Sequence, residues 1–232
     1  MAMVRSILLI FLFVVACKSS NEQGQELNSV TTDTTRATSG ESFDLQIIKW
    51  EDPTRQTWQD PKFVIAALGD LDGLVIADIG SGTGYFTFQL AVSAKKVIAI
   101  DIEQRFLNYI EDRKSEMYDR HLAGKIETRL TTPDKPSLSA NEVDVVLMVN
   151  TIGYIKDRPA YLTVLRNGIG ESGRLVIIDY KVGKMPVGPD EDSKVSEADI
   201  KLVLQQAGFV IDNVDNQSLQ YQYLINAHKG PE

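Results

Sequence analysis

The chain has 232 residues and carries 24 Lys and Arg against 32 Asp and Glu, a formal net charge of −8. This length accommodates one α/β domain with a full core and a terminal extension, and the apolar (43%) and charged (24%) fractions are ordinary for a globular protein. The acidic balance, with no Lys- or Arg-rich run, repels phosphate backbones and argues against nucleic acid as a partner.

Residues Met1–Cys17 read as an export signal: Arg5 is a short basic region, Ile7–Val15 an apolar run, and Val14-Val15-Ala16-Cys17 closes it. The apolar run is too short to span a bilayer comfortably. V-V-A-C resembles the lipobox of bacterial lipoproteins, and that resemblance implies cleavage before Cys17 and lipidation of its thiol. Cys17 is the only cysteine, so neither an intrachain disulfide nor a catalytic thiol is expected. Lys18–Ser42 is rich in Ser, Thr, Asn, Gln and Gly and reads as a flexible polar tether. The expected organisation is a leader over 1–16, a tether over 17–42 and a folded domain over 43–232. The expected location is the bacterial cell envelope, with the membrane reached through the lipid anchor.

Asp60-Pro61 forms an N-cap with proline at the first helical position and opens a helix toward Leu68. Strand-like runs then alternate with helical patterns. The strands are Leu74–Ile79, Lys96–Asp101, Lys125–Leu130, Val143–Val149 and Arg174–Asp179. The intervening helices are Tyr85–Ser93, Glu103–Asp119 and Arg158–Asn167. A last helix, Ser196–Ala207, stops at Gly208, and Phe209–Val214 and Gln220–Asn226 are spaced to pair as an antiparallel hairpin. The alternation predicts an α/β fold with a mostly parallel seven-stranded sheet, helices on both faces and a C-terminal antiparallel hairpin.

Val75–Phe86 (VIADIGSGTGYF) places a glycine-rich turn between a strand and a helix, where Gly80, Gly82 and Gly84 let the backbone turn tightly and approach a ligand. A dinucleotide fingerprint would need its third glycine at Tyr85. D-I-G-S-G-T-G instead resembles motif I of class I S-adenosylmethionine (SAM)-dependent methyltransferases. The resemblance implies a Rossmann-like fold, SAM as cofactor, and a loop of Asp78, Gly80, Ser81, Gly82, Gly84 and Tyr85 around the cofactor's amino-acid end, with Asp78 holding its ammonium group. Asp101 ends the second strand about 20 residues further on, where a carboxylate accepts hydrogen bonds from a ribose diol. Ile102 follows it. Thr132, in the segment Leu130–Lys135 with Thr131 and Asp134, offers hydrogen bonds to the adenine or belongs to an ordinary polar turn. Trp50-x4-Arg55-x2-Trp58-Gln59-x-Pro61, VDVVLMVN at Val143–Asn150 and LVIIDYKVG at Leu175–Gly183 are similar to segments of a group of bacterial methyltransferase-domain proteins.

Methyl transfer gains most from holding two reactants in line and excluding water, with a base needed only if the acceptor loses a proton. The acceptor-side candidates are Asn150 and Thr151, which end the fourth strand, and Asp179 and Tyr180, which end the fifth; Asn150, Asp179 and Tyr154 in the following segment are the catalytic candidates, and Asn150 is also a cofactor candidate. Where many members of the resembled group read N-x-Y-H-H-I, Asn150–Ile155 reads NTIGYI, so Gly153 and Tyr154 stand where the two histidines would fall. Tyr154 either bonds an acceptor or packs as a half-buried aromatic, and Asp179 either serves the acceptor or braces the next loop. Trp50, Arg55 and Trp58 form either a lid over the cofactor, with Arg55 pairing a carboxylate, or a packed N-terminal helix. No Cys/His/Asp cluster has metal-ligand spacing. The expected function is methyl transfer to a small-molecule or lipid-like acceptor by a monomeric or weakly associating protein. An exported binding module without transfer, and a nicotinamide-dependent oxidoreductase, are the alternatives.

Overall fold

The computed structural model describes residues 42–231. The leader, Cys17 and nearly all of the tether lie outside the described residues. Three helices come first: α1 (Phe43–Trp50), α2 (Arg55–Trp58) and α3 (Pro61–Ala67). Asp60 caps α3 through its side chain, which accepts from the Phe63 N–H at 3.1 Å, and Pro61 occupies the first turn as expected. There follow β1 (Val75–Ile79), α4 (Tyr85–Ala91), β2 (Lys96–Asp101), α5 (Gln104–Glu116), α6 (Arg120–Gly124), β3 (Ile126–Leu130) and β4 (Val143–Val149). The chain ends with α7 (Arg158–Gly168), β5 (Ile169–Tyr180), α8 (Glu197–Gln206), β6 (Phe209–Asp215) and β7 (Gln222–Lys229). No helix among the described residues is long and apolar enough to cross a membrane.

The seven strands form one sheet in the order β3-β2-β1-β4-β5-β7-β6. β1 pairs in parallel with β2 and β4, β3 with β2, and β5 with β4, while β7 runs antiparallel between β5 and β6. This is the expected architecture. The inner strands are buried on both faces: Ala77, Ile79, Ile98, Ile100 and Met148 pack on the side of α7 and α8, and Ile76, Val97, Ala99 and Leu147 on the side of α3, α4 and α5. Strand order reverses at β1, so the carboxyl edge of β1, β2 and β4 is the crevice where an open α/β sheet binds its ligand.

Three elements differ from the sequence reading. The helix expected over Glu103–Asp119 ends at Glu116, because Met117 is extended and the Asp119 side chain caps a new helix by accepting from the Leu122 N–H at 3.0 Å. β5 begins at Ile169, directly after α7, with a register shift opposite Val143 and Val145 that lengthens the strand. Trp50 and Trp58 belong to two helices, since Asp52 accepts from the Thr54 N–H at 2.7 Å and turns the chain between them.

Candidate functional site

β1 delivers Asp78, 3% exposed, to the crevice, and the glycine loop follows. Gly80, Gly82 and Gly84 all have positive φ (74°, 51° and 81°), so the turn uses left-handed conformations that side chains resist. The loop is pinned to β2, for the N–H groups of Gly80 and Ser81 both donate to the Ile100 carbonyl, at 2.8 and 3.1 Å. A Cβ on Gly80 would lie 2.3 Å from Thr151 Oγ1, which itself donates toward the Ile79 and Val149 carbonyls.

Asp101, 8% exposed, closes the loop from the neighbouring strand. Its Oδ2 accepts from the Gly82 N–H at 2.8 Å and its Oδ1 from the Glu103 N–H at 3.0 Å. Each oxygen keeps a further lone pair for a ribose hydroxyl. Burial raises its pKa from the ordinary carboxylate value, against the backbone hydrogen bonds that lower it. Burial likewise pushes Asp78 up to about 6, although Thr87 Oγ1 on α4 donates to its Oδ2 at 2.6 Å. Ser81 Oγ is buried with no hydrogen-bond partner among the described residues. Ile102 is 52% exposed beside Asp101, an apolar surface suited to a base. A glycine cradle, a ribose-type carboxylate, an orphaned hydroxyl and an acid for an ammonium group together fit SAM.

Thr132 is exposed and bonds Asp134, while Thr131 Oγ1 is taken up by Ser137 Oγ at 2.7 Å and the Lys135 carbonyl. The hydroxyls of that segment therefore hold its own turn.

The acceptor side is built differently from the sequence reading. Asn150 ends β4 with φ 56°; its Oδ1 accepts from Gln222 Nε2 and its Nδ2 donates to Tyr180 Oη at 3.4 Å. Tyr180 and Gln222 are cross-strand partners on β5 and β7, and Trp58 stacks on Tyr180 with centroids 6.0 Å apart. Gln222 and Gln59 are completely buried, yet Gln222 Oε1 and Gln59 Nε2 have no partner among the described residues. The sequence reading placed Tyr180 on the acceptor side but missed Thr87 and Gln222 as site-lining groups. Gln59 was legible only as a letter of the Trp58-Gln59-x-Pro61 motif.

Asp179 braces a loop: its oxygens accept from the Tyr180 N–H (2.7 Å) and the Gly153 N–H (3.4 Å), and burial pushes it up to about 6. Arg158 bonds the carbonyls of Ile152 and Gly153 from the other side. Tyr154 is 61% exposed, not half-buried. Gly153 has no room for a side chain, since a Cβ would come 2.5 Å from the Ser193 carbonyl oxygen. The segment Asn150–Ile155 packs at Gly153 against the turn Glu191–Ser193.

The N-terminal helices cap this crevice. Trp50 stacks on Phe106 of α5 (4.6 Å, 27°) and lies against Gly82. Arg105 Nη2 donates to Gln46 Oε1 at 2.9 Å, and Arg113 Nη1 reaches Glu51 and the Thr83 carbonyl, bolting cap, α5 and glycine loop together. Arg55 lies over the Tyr85 ring, 3.8 Å from its centroid.

The family model described as "Methyltransferase domain" matches residues 70–225. A SAM-dependent methyltransferase from Aquifex aeolicus is similar in structure, with a TM-score of 0.72 and 25% identity over 81% of this chain and 98% of that one. In sequence the chain is 31% identical to a demethylmenaquinone methyltransferase from Lactococcus lactis over 52% of its length, and 25% identical to ribosomal RNA small subunit methyltransferase A from Staphylococcus carnosus over 47%. It spans less than half of those two relatives, 47% and 37%. These likenesses support SAM as the cofactor and methyl transfer as the class of chemistry. The matched span covers the glycine loop, Asp101 and the sheet as far as Ile225 in β7, and the chain belongs to the methyltransferase-domain family.

Proposed function

We propose that this protein transfers the methyl group of SAM to a small-molecule or lipid-like acceptor at the cell envelope, tethered through a lipidated Cys17. The observation that carries the cofactor assignment is the Asp101 carboxylate, fastened to the Gly82 N–H beneath a loop whose Ser81 hydroxyl has no partner among the described residues. When bound, the cofactor supplies an activated methyl group on a sulfonium.

The remaining work falls to the chain's own residues. Asp101 orients the ribose, the backbone of Gly80–Gly84 admits the amino-acid end, and ionised Asp78 holds the ammonium group. Trp58 and Tyr180 wall the acceptor side and exclude water there. Asp179 holds the loop that carries Gly153 and Tyr154. The net charge of −8 disfavours a polyanionic acceptor.

A second reading, an exported cofactor-binding protein without transfer, is favoured by one observation: Gly153 is locked under the Ser193 carbonyl at the place where the resembled N-x-Y-H-H-I pattern would put a histidine. Calorimetric titration of the full chain with SAM and S-adenosylhomocysteine, with NADH as control, tests the cofactor. A screen of small-molecule and lipid acceptors with labelled SAM tests the transfer. Binding with turnover supports the enzyme, binding with a silent screen the second reading, and NADH binding alone an oxidoreductase. Cys17→Ser is expected to abolish fatty-acid labelling and membrane association; unchanged labelling sinks the anchor.

A further inference from the structure

Among the described residues, Arg55 is a guanidinium without a counter-ion. Its Nε donates to Gln59 Oε1 at 2.8 Å, one terminal nitrogen donates to the Trp50 carbonyl, and its plane rests on the Tyr85 ring at 3.8 Å. All three partners are neutral. The ion pairs formed within 4.0 Å among the described residues do not include Arg55. A half-buried cation held this way loses hydration and forms no ion pair among the described residues. The fixed fork of an arginine is, moreover, suited to a carboxylate.

Its position says which carboxylate. Tyr85 is the first residue of α4, directly after the glycine loop, and Trp50, whose carbonyl Arg55 holds, lies against Gly82 of that loop. Asp78 stands close enough for the two charges to act on one another, without forming an ion pair. An acid and a base held apart at one end of a cleft complement a zwitterion, the α-amino acid, better than they complement a neutral group.

We propose that Arg55, contributed by the N-terminal cap, binds the α-carboxylate of the cofactor's methionine moiety, opposite Asp78 on the ammonium group. This rests on the cofactor reading above. Capping and cofactor binding are then one event: the helices that carry Trp50 and Arg55 complete the site, and a domain lacking them keeps the ribose contacts but loses the grip on the amino acid.

The test compares two ligands on the full chain by calorimetry: S-adenosylhomocysteine, and 5′-methylthioadenosine, which keeps the nucleoside and thioether but lacks the amino acid. Arg55→Gln is expected to weaken S-adenosylhomocysteine by about 10- to 100-fold, the range of a charge-assisted hydrogen-bond pair, and to leave 5′-methylthioadenosine within about twofold. Arg55→Lys, which keeps the charge without the fork, should recover part of the loss. A further arm needs no variant: decarboxylated S-adenosylhomocysteine should bind the unaltered protein more weakly than the parent ligand, by a similar factor. Equal loss for both ligands in Arg55→Gln, no loss for S-adenosylhomocysteine, or equal affinity of the decarboxylated ligand would each overturn the proposal. Failure of the unaltered protein to bind either nucleoside would instead overturn the cofactor reading, and the proposal with it.

Discussion

The Trp50 indole lies against Gly82, so closely that a Cβ on the glycine would come 3.1 Å from both Cε3 and Cζ3 of the ring. The cap and the glycine loop thus meet at the one position in the loop where an indole needs a bare backbone. Gly82→Ala should destabilise the chain for two separable reasons, strain at φ 51° and collision with the indole, together about 1–3 kcal/mol. Trp50→Ala in the same chain should remove the collision and leave the strain. A double-mutant cycle in urea is expected to give a coupling energy well away from zero, and additive effects would contradict the contact.

Asp101 has a double task, and its removal should show both. Asp101→Ala takes the acceptor from the Gly82 N–H and from any ribose hydroxyl. The expected result is a loss of affinity for S-adenosylhomocysteine of about 100-fold, with a modest fall in melting temperature. A variant binding within threefold of the unaltered protein would remove Asp101 from the cofactor site.

Asp78 makes stability depend on pH in an unusual direction. Its folded carboxyl keeps a proton up to about pH 6, whereas an unfolded Asp releases it near pH 4. The folded state therefore binds more protons between those values, and stability falls as pH rises through this window, by roughly 3 kcal/mol, before levelling off. Asp179 titrates in the same direction. Asp78→Asn should narrow the difference in denaturant stability between pH 5 and pH 7.5; an unchanged difference would refute the assignment. Cofactor binding, which needs the ionised acid, should tighten across the same interval.

Restoring a histidine at position 153 should fail for steric reasons. Gly153→His places a Cβ where the Ser193 carbonyl stands 2.5 Å away, and the turn must open to admit it, at about 1–3 kcal/mol. Gly153→Ala should cost a comparable amount, because the first carbon makes the clash. A melting temperature unchanged in both variants would show that the Glu191–Ser193 turn yields freely.

Much of this protein was written in local signals. The order of strands and helices followed from periodicity, from Asp60-Pro61 before α3, and from Gly208 after α8, where φ is 82°. The glycine loop and Asp101 were readable because strand, turn and acid are close in sequence. Three features were not readable: the placement of Trp50 on Gly82, the pairing of Tyr180 with Gln222, and the closure of Gly153 under Ser193. Each joins residues distant in the chain: a helix laid across α5, a cross-strand pair set by sheet register, and two turns packed on one another. The sequence by itself determined the architecture and the cofactor loop, because propensity, capping and glycine freedom act over a few residues. Only the tertiary structure decided which carboxylate braces a loop, which amides are left unpaired and which cation lacks a partner, because burial and hydrogen-bond satisfaction are properties of the packed whole.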